Sequence, residues 1–233
     1  MKAISNLLTL ALGLIFTFAF IQTAQAQVSL GLKAGTNWAN IQATESLDKV
    51  LPDFKYINNA NYGLVAEIPV TSQFAFQPEI AFVKKGFELD KGFDLTLFGI
   101  DVPVGVKAES RFSYVEMPLL AKYKFGTEGL SAYVVAGPTL GVATAGRLIT
   151  KADVFITDIN LTNTPVDLDA IDYQRLEVGG TVGAGLAVNT GFGQIFADAR
   201  YNHGFTQLYD IPLVDEKVSN KGFGLNVGVM VGL

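Results

Sequence analysis

The chain contains no cysteine. Disulfides, thiolate metal sites and a lipid anchor on an N-terminal cysteine are therefore excluded. Histidine occurs once, as His203. Positive charge is also scarce: 17 Lys and Arg stand against 22 Asp and Glu, a formal net charge of -5. This balance argues against nucleic acid as a partner, and no basic patch for anionic lipid is visible along the sequence. After Ile21 no stretch is a continuous apolar run long enough for a membrane helix, so a helical membrane protein is excluded as well. Yet 49% of the residues are hydrophobic and 24 are glycine. The apolar residues must be stored in some other pattern.

The first residues account for one part of them. Lys2 supplies a positive n-region, Leu7 to Ile21 an apolar run, and Ala24-Gln25-Ala26 a small-x-small cleavage site. The run is short for a span of about 20 residues and no basic stop signal follows it. The expectation is a signal peptide over residues 1–26, cleaved after Ala26, followed by a single domain over 27–233.

The remaining apolar residues recur with period two. In "NYGLVAEIPV" Tyr62, Leu64, Ala66, Ile68 and Val70 share a face, with Asn61, Gly63, Val65 and Glu67 opposite. "QFAFQPEIAFVKK" sets Phe74, Phe76, Ile80 and Phe82 against Gln73, Gln77, Glu79 and Lys85. "YVEMPLLAKYKF" sets Val115, Met117, Leu119, Ala121 and Tyr123 against Glu116, Lys122 and Lys124. Sustained alternation of this kind is a strand signal. Eight such segments are read, at about 28–42, 61–71, 73–88, 109–125, 130–147, 173–189, 194–208 and 220–233. Short turns at Thr71-Ser72, 126–129 and 190–193 alternate with long connections at 43–60, 89–108, 149–172 and 209–219. The pattern predicts an all-β fold, an eight-stranded antiparallel up-and-down transmembrane β-barrel with its long connections at one end.

The glycines indicate which face is inside. Gly31, Gly35, Gly63, Gly137, Gly141, Gly179, Gly183, Gly185, Gly222, Gly224, Gly228 and Gly232 share the parity of the charged residues, and Gly180 is the mid-strand exception. A barrel of eight strands has room inside for small side chains and a few charges, not for the whole bulky set. The bulky set, including Phe74, Phe76, Phe82, Leu119, Phe223, Leu225, Val227, Val229 and Val231, is therefore expected to face lipid, the one surrounding that tolerates an outward apolar band. A soluble barrel with its apolar face inward is the competing fold. On the membrane reading, Val229→Arg should block insertion, whereas Gly228→Ala should be milder.

The segments "LGLKAGTNWANI" (30–41), "YVEMPLLAKYKF" (114–125), "AYVVAGPTLGV" (132–142), "VGAGLAV" (182–188) and "ARYNHGFTQL" (199–208) resemble, in order, strand motifs of the PorT-like outer-membrane β-barrel family. The resemblance spans essentially all of residues 27–233. It implies an outer-membrane barrel of about this length in a Gram-negative envelope, in a family whose founding member is associated with secretion and gliding machinery. One departure is Leu233 at the end, where many barrels carry an aromatic residue read by the assembly machinery.

Three features carry the functional expectations. Lys33, Glu67, Glu79, Glu116, Lys122, Lys124, Arg175, Glu177, Asp198 and Arg200 share interior parity. They read as a paired network filling the lumen, since charges in a narrow interior must pair; the alternative is a polar conduit. His203 falls on the outward face near the long connections. Ser219, with Asp172 or Asp215, is the set that a lipid-modifying hydrolase would use with it; a polar residue beside an aromatic girdle is the plainer reading. Finally, 89–110 is unusually apolar, with Phe93, Leu95, Leu97, Ile100, Val102 and Val104 alternating, and reads as a hairpin protruding past the membrane. Such an exposed edge can add a strand from a protein partner.

The expected role is thus structural or interaction-based at the cell envelope, secretion- or adhesion-associated, and non-enzymatic. A narrow porin-like transporter of small solutes is the alternative, and a lipid-modifying enzyme a distant one. No cofactor and no metal are implied. The expected partners are outer-membrane lipid, the barrel-assembly machinery during biogenesis, and a protein at 89–108 and 149–172.

Overall fold

The computed structural model describes residues 27–42, 54–97, 100–127, 129–154, 157–171, 173–208 and 218–233. The expected signal peptide, 1–26, lies outside the described residues.

Alternation becomes strand wherever it was sustained. The strands are β1 (Ser29–Gln42), β2 (Phe54–Lys55), β3 (Ile57–Pro69), β4 (Phe74–Leu97), β5 (Ile100–Gly126), β6 (Leu130–Val154), β7 (Thr157–Val166), β8 (Leu176–Thr190), β9 (Gly193–Gly204) and β10 (Ser219–Gly232). All pairings are antiparallel. β1 pairs with β10 on one side and β3 on the other, and β4 pairs with β5, so β1, β3, β4, β5, β6, β8, β9 and β10 close into an eight-stranded barrel. Closure leaves no open edge in the wall, the condition for strands to cross a bilayer.

The short turns lie at one end. Val70 and Thr71 both donate to the Phe74 carbonyl, at 2.8 and 2.9 Å, and Thr127 N–H donates to the Leu130 carbonyl at 2.9 Å. Gly126 (φ +123°) and Gly193 (φ +154°) flank two of these turns in backbone conformations that favour glycine. At the opposite end β4, β5 and β6 run on, being 24, 27 and 25 residues long against 14 for β10. A tilted strand crosses the hydrocarbon in about 9–11 residues. The excess forms a sheet beyond the barrel, in which β4 and β5 stay paired up to Leu97 and Ile100, and β7 adds along β6 from Gly146–Val166 to Val154–Thr157. Much of the predicted connections 89–108 and 149–172 is therefore strand. β2 covers the base of the β4 edge, with Phe54 opposite Leu89 and Lys55 opposite Glu88.

The outer wall is apolar. Phe74, Phe82, Phe223, Leu225, Val227, Val229 and Val231 are exposed, as are Leu32, Leu64, Val182 and Leu186. Phe76 and Leu119 occupy outward positions and are half-buried by their neighbours. Aromatic rings flank this band. Phe74 and Tyr123 lie 4.8 Å apart toward the short turns; Tyr62 stacks on Phe82 at 5.4 Å, and Tyr201 meets Phe223 at 5.1 Å, toward the long end. A band bounded by two girdles is the exterior of a membrane barrel.

The interior departs from expectation in its bulk. Val65, Leu120, Tyr133, Val135, Ala187, Phe196 and Met230 form a buried apolar layer toward the short turns. Ile41, Phe112, Tyr114, Ala143, Leu168, Tyr173, Leu208 and Val218 form a second at the long end. Inward glycines make the room. A Cβ on Gly185 would lie 2.6 Å from the Tyr133 hydroxyl, and one on Gly228 would lie 2.5 Å from both Phe196 Cε1 and the Leu32 carbonyl oxygen. Alanine at Gly228 therefore carries a packing cost of its own.

Candidate functional site: the charged lumen

Between the two apolar layers the inward charges tie the strands together. Glu79, from β4, is the centre. It pairs with Lys33 of β1, accepts from Arg200 Nη1 of β9 at 2.8 Å through Oε2, and accepts from Gln77 Nε2 at 2.6 Å through Oε1. Arg200 also grips its own strand neighbour Asp198, with Nε to Oδ1 at 2.9 Å and Nη2 to Oδ2 at 2.6 Å. Asp198 takes further bonds from Asn226 Nδ2 at 2.8 Å and the Tyr133 hydroxyl at 3.0 Å. Toward the short turns Glu67 accepts from Lys122 and Lys124, each at 2.7 Å, and Lys122 lies 4.0 Å from the Tyr133 ring centroid. Toward the long end Lys85 bridges Glu116 at 2.5 Å and Glu177 at 2.6 Å, and Asn220 donates to Glu177 at 2.6 Å.

Alternate residues of tilted strands converge on the axis, and this is why groups as distant as Glu79 and Arg200 meet. The charges balance: Lys33, Lys85, Lys122, Lys124 and Arg200 face Glu67, Glu79, Glu116, Glu177 and Asp198, each in an ion pair. Removing one member of such a set strands a buried partner, at a cost of about 3–5 kcal/mol. Above the Glu79 level a cavity of about 60 Å³ remains, with Asn37, Thr139, Thr181, Asn202 and Asn220 among its lining residues. It has room for a few waters.

Residues 167–171 and 173–175 fold over the long-end mouth. The Tyr173 ring stacks on Phe112 at 4.3 Å, its hydroxyl lies 2.5 Å from that of Tyr114, and its N–H donates to the Leu168 carbonyl at 2.9 Å. Leu168 is buried against Gly146, where a Cβ would approach Leu168 Cδ2 to 2.9 Å.

Of the residues expected in the lumen, Arg175 lies elsewhere. β8 starts only at Leu176, so strand parity does not reach Arg175; its guanidinium pairs with the exposed Asp169 at 2.9 Å. Conversely Lys85, Gln77, Tyr133, Asn220 and Asn226 are network members that the sequence reading did not single out. Lys85 and Gln77 have the parity of Glu79, which was the available signal. His203 lies in an outer aromatic row, 6.2 Å from the Tyr201 ring and 5.6 Å from that of Phe205, with Nδ1 3.4 Å from the Tyr201 hydroxyl. No hydrogen bond joins it to Ser219 among the described residues, and Asp172 and Asp215 lie outside them.

The barrel, its girdles and its cross-tied lumen define an integral outer-membrane protein. The family model for the outer membrane protein beta-barrel domain matches residues 20–210, and the chain belongs to that family. No curated protein matches it in sequence. Among solved structures it is similar to Neisserial surface protein A, at 15% identity over 88% of this chain and 97% of that one, TM-score 0.42. It is also similar to Ail, the attachment invasion locus protein of Yersinia pestis, at 15% identity over 88% and 99%, TM-score 0.40. A third is the N-terminal β-barrel domain of OprF from Pseudomonas aeruginosa, at 16% identity over 88% and 99%, TM-score 0.34.

Proposed function

We propose that this outer-membrane barrel is an interaction scaffold, a PorT-like member of its family that presents a rigid surface sheet to a protein partner in a secretion or adhesion assembly. It is exported by a signal peptide cleaved after Ala26 and inserted by the barrel-assembly machinery. The observation that carries this reading is the pairing of a neutral, cross-tied lumen with the β4–β5–β6–β7 sheet beyond the membrane. A filled interior favours a wall over a conduit. A strand edge held outside the bilayer favours main-chain recognition by an incoming strand. The docking segments are 89–108 and 149–172.

The test is crosslinking in intact cells, followed by purification of the full chain and of variants in which either segment is replaced by a short turn. A discrete partner crosslinked to the full chain and lost with the shortened hairpins supports the scaffold. The narrow-transporter reading draws on the small cavity above Glu79; single-channel conductance well above a leak in planar bilayers would favour it over the scaffold.

A further inference from the structure

We propose that the outer face of β4, β5 and β6, just beyond the aromatic girdle, holds the phosphate groups of outer-leaflet glycolipid through Arg147, Arg111 and Lys84. The inference rests on the outer-membrane placement of the chain and not on the scaffold role.

The linear sequence shows no basic patch, but the register assembles one. On β5 and β6, Arg111 lies directly opposite Arg147, and Lys107 directly opposite Lys151, with Glu109 and Ile149 on the rung between. Alternate residues of a strand share a face, so all six project together. Like charges directly across an antiparallel pair lie about 5 Å apart and repel. One carboxylate answers part of this. Glu109, itself buried, pairs with Arg111 and takes Lys151 Nζ at 2.9 Å. Both of its oxygens are thereby engaged. The other acid beside it, Glu88, lies opposite Glu109 on β4 and faces Lys55 in the β2 register.

Arg147 is left over. It is exposed and makes no ion pair or side-chain hydrogen bond among the described residues. Lys84 is exposed on the same face, opposite Ser113, two residues along β5 from Arg111.

Position identifies the anion. The face is the continuation of the lipid-facing wall, where Phe82 lies opposite Val115 at the girdle. Arg111 is four residues past Val115, about 13 Å along the strand and about 10 Å along the membrane normal at the usual tilt. The cations therefore stand beyond the hydrocarbon, at the depth of headgroup phosphates on the long-connection side, which is the cell surface in barrels of this kind. Guanidinium groups bind phosphate oxygens through paired, charge-assisted hydrogen bonds. A phosphate bridging Arg111 and Arg147 would also relieve their mutual repulsion.

The test uses the folded barrel in detergent and native mass spectrometry with diphosphoryl lipid A, the same lipid dephosphorylated, and inorganic phosphate. The variants are Arg147→Gln and Lys84→Gln, with Lys221→Gln on β10 as control. Arg111 is kept, because it holds buried Glu109. The expected result is retention of diphosphoryl over dephosphorylated lipid by about tenfold, the scale of one charged hydrogen bond. Most of that preference should be lost in Arg147→Gln, part in Lys84→Gln and none in Lys221→Gln. Equal retention of the two lipids would overturn the proposal, as would equal losses in all three variants. Displacement of the lipid by millimolar inorganic phosphate would overturn the lipid as the source of the anion. Heat-modifiable gel mobility of each variant confirms that the barrel is folded.

Discussion

Inside the barrel the ring of Phe196 lies against the bare backbone of Gly228, one strand away. A Cβ at Gly228 would come within 2.5 Å of both Phe196 Cε1 and the Leu32 carbonyl oxygen. Four residues earlier on the same strand, a Cβ at Gly224 would meet nothing closer than the Thr36 carbonyl oxygen at 3.7 Å.

The two glycines should therefore respond differently to alanine. Gly224→Ala is expected to fold as the parent does. Gly228→Ala forces a ring and a backbone carbonyl apart, an overpacking cost of about 1–3 kcal/mol. Urea unfolding in lipid vesicles, followed by the shift in gel mobility, measures the difference. Equal midpoints would mean that Phe196 does not occupy the lumen.

Glu79→Gln should destabilise the barrel more than any single exposed charge change. It leaves Lys33 and Arg200 buried against a neutral amide, and about 3 kcal/mol is expected from breaking a buried pair. Restoring neutrality with the double change Lys33→Met and Glu79→Leu should recover much of the loss, since paired buried ions exchange for apolar groups at little net cost. A double variant weaker than Glu79→Gln would contradict the network as drawn.

These contrasts also show what could be read from residue order. Period two marks the strands and the outward set, because side chains alternate across a pleated wall. The end of that signal misplaces Arg175: alternation extrapolated one residue before Leu176 puts a loop residue in the lumen. Inward Phe196 and Tyr133 needed more than parity, since their room comes from Gly228 and Gly185 on neighbouring strands, and register is a cross-strand property. The same holds for the Arg111–Arg147 juxtaposition, formed by residues far apart in the chain. Lys85 had the right parity and still required its two glutamates, from β5 and β8, to define its role.

Over the long-end mouth, Tyr173→Ala removes the stack on Phe112 and the hydroxyl contact with Tyr114. A loss of about 3 kcal/mol in local stability is expected for a buried aromatic truncated to alanine. Hydrogen exchange of residues 167–171 and 173–175 should accelerate while that of β1 and β10 is unchanged. Uniform acceleration across the barrel would contradict a lid that opens separately.

The base of the surface sheet should be acid-sensitive. Burial alone would raise the Glu109 carboxyl, but the hydrogen bonds and charges of Arg111 and Lys151 outweigh it and hold the group below its ordinary value of 4.5. A carboxyl lower in the folded state contributes stability that is present above its unfolded value and lost as the pH falls through the folded one. Proteolysis of the sheet should therefore increase below about pH 4.5 in the parent, and Glu109→Gln should remove the dependence. The same acid profile in Glu109→Gln would assign the sensitivity to other groups.

The account rests on large apolar side chains meeting acyl chains while the charges pair inside. The absence of native cysteine allows a single spin label at Val227→Cys, on the outward face of β10. In reconstituted vesicles the label should collide readily with oxygen dissolved in the bilayer and rarely with a water-soluble nickel complex. Preferential collision with nickel would place that face in water and contradict the account.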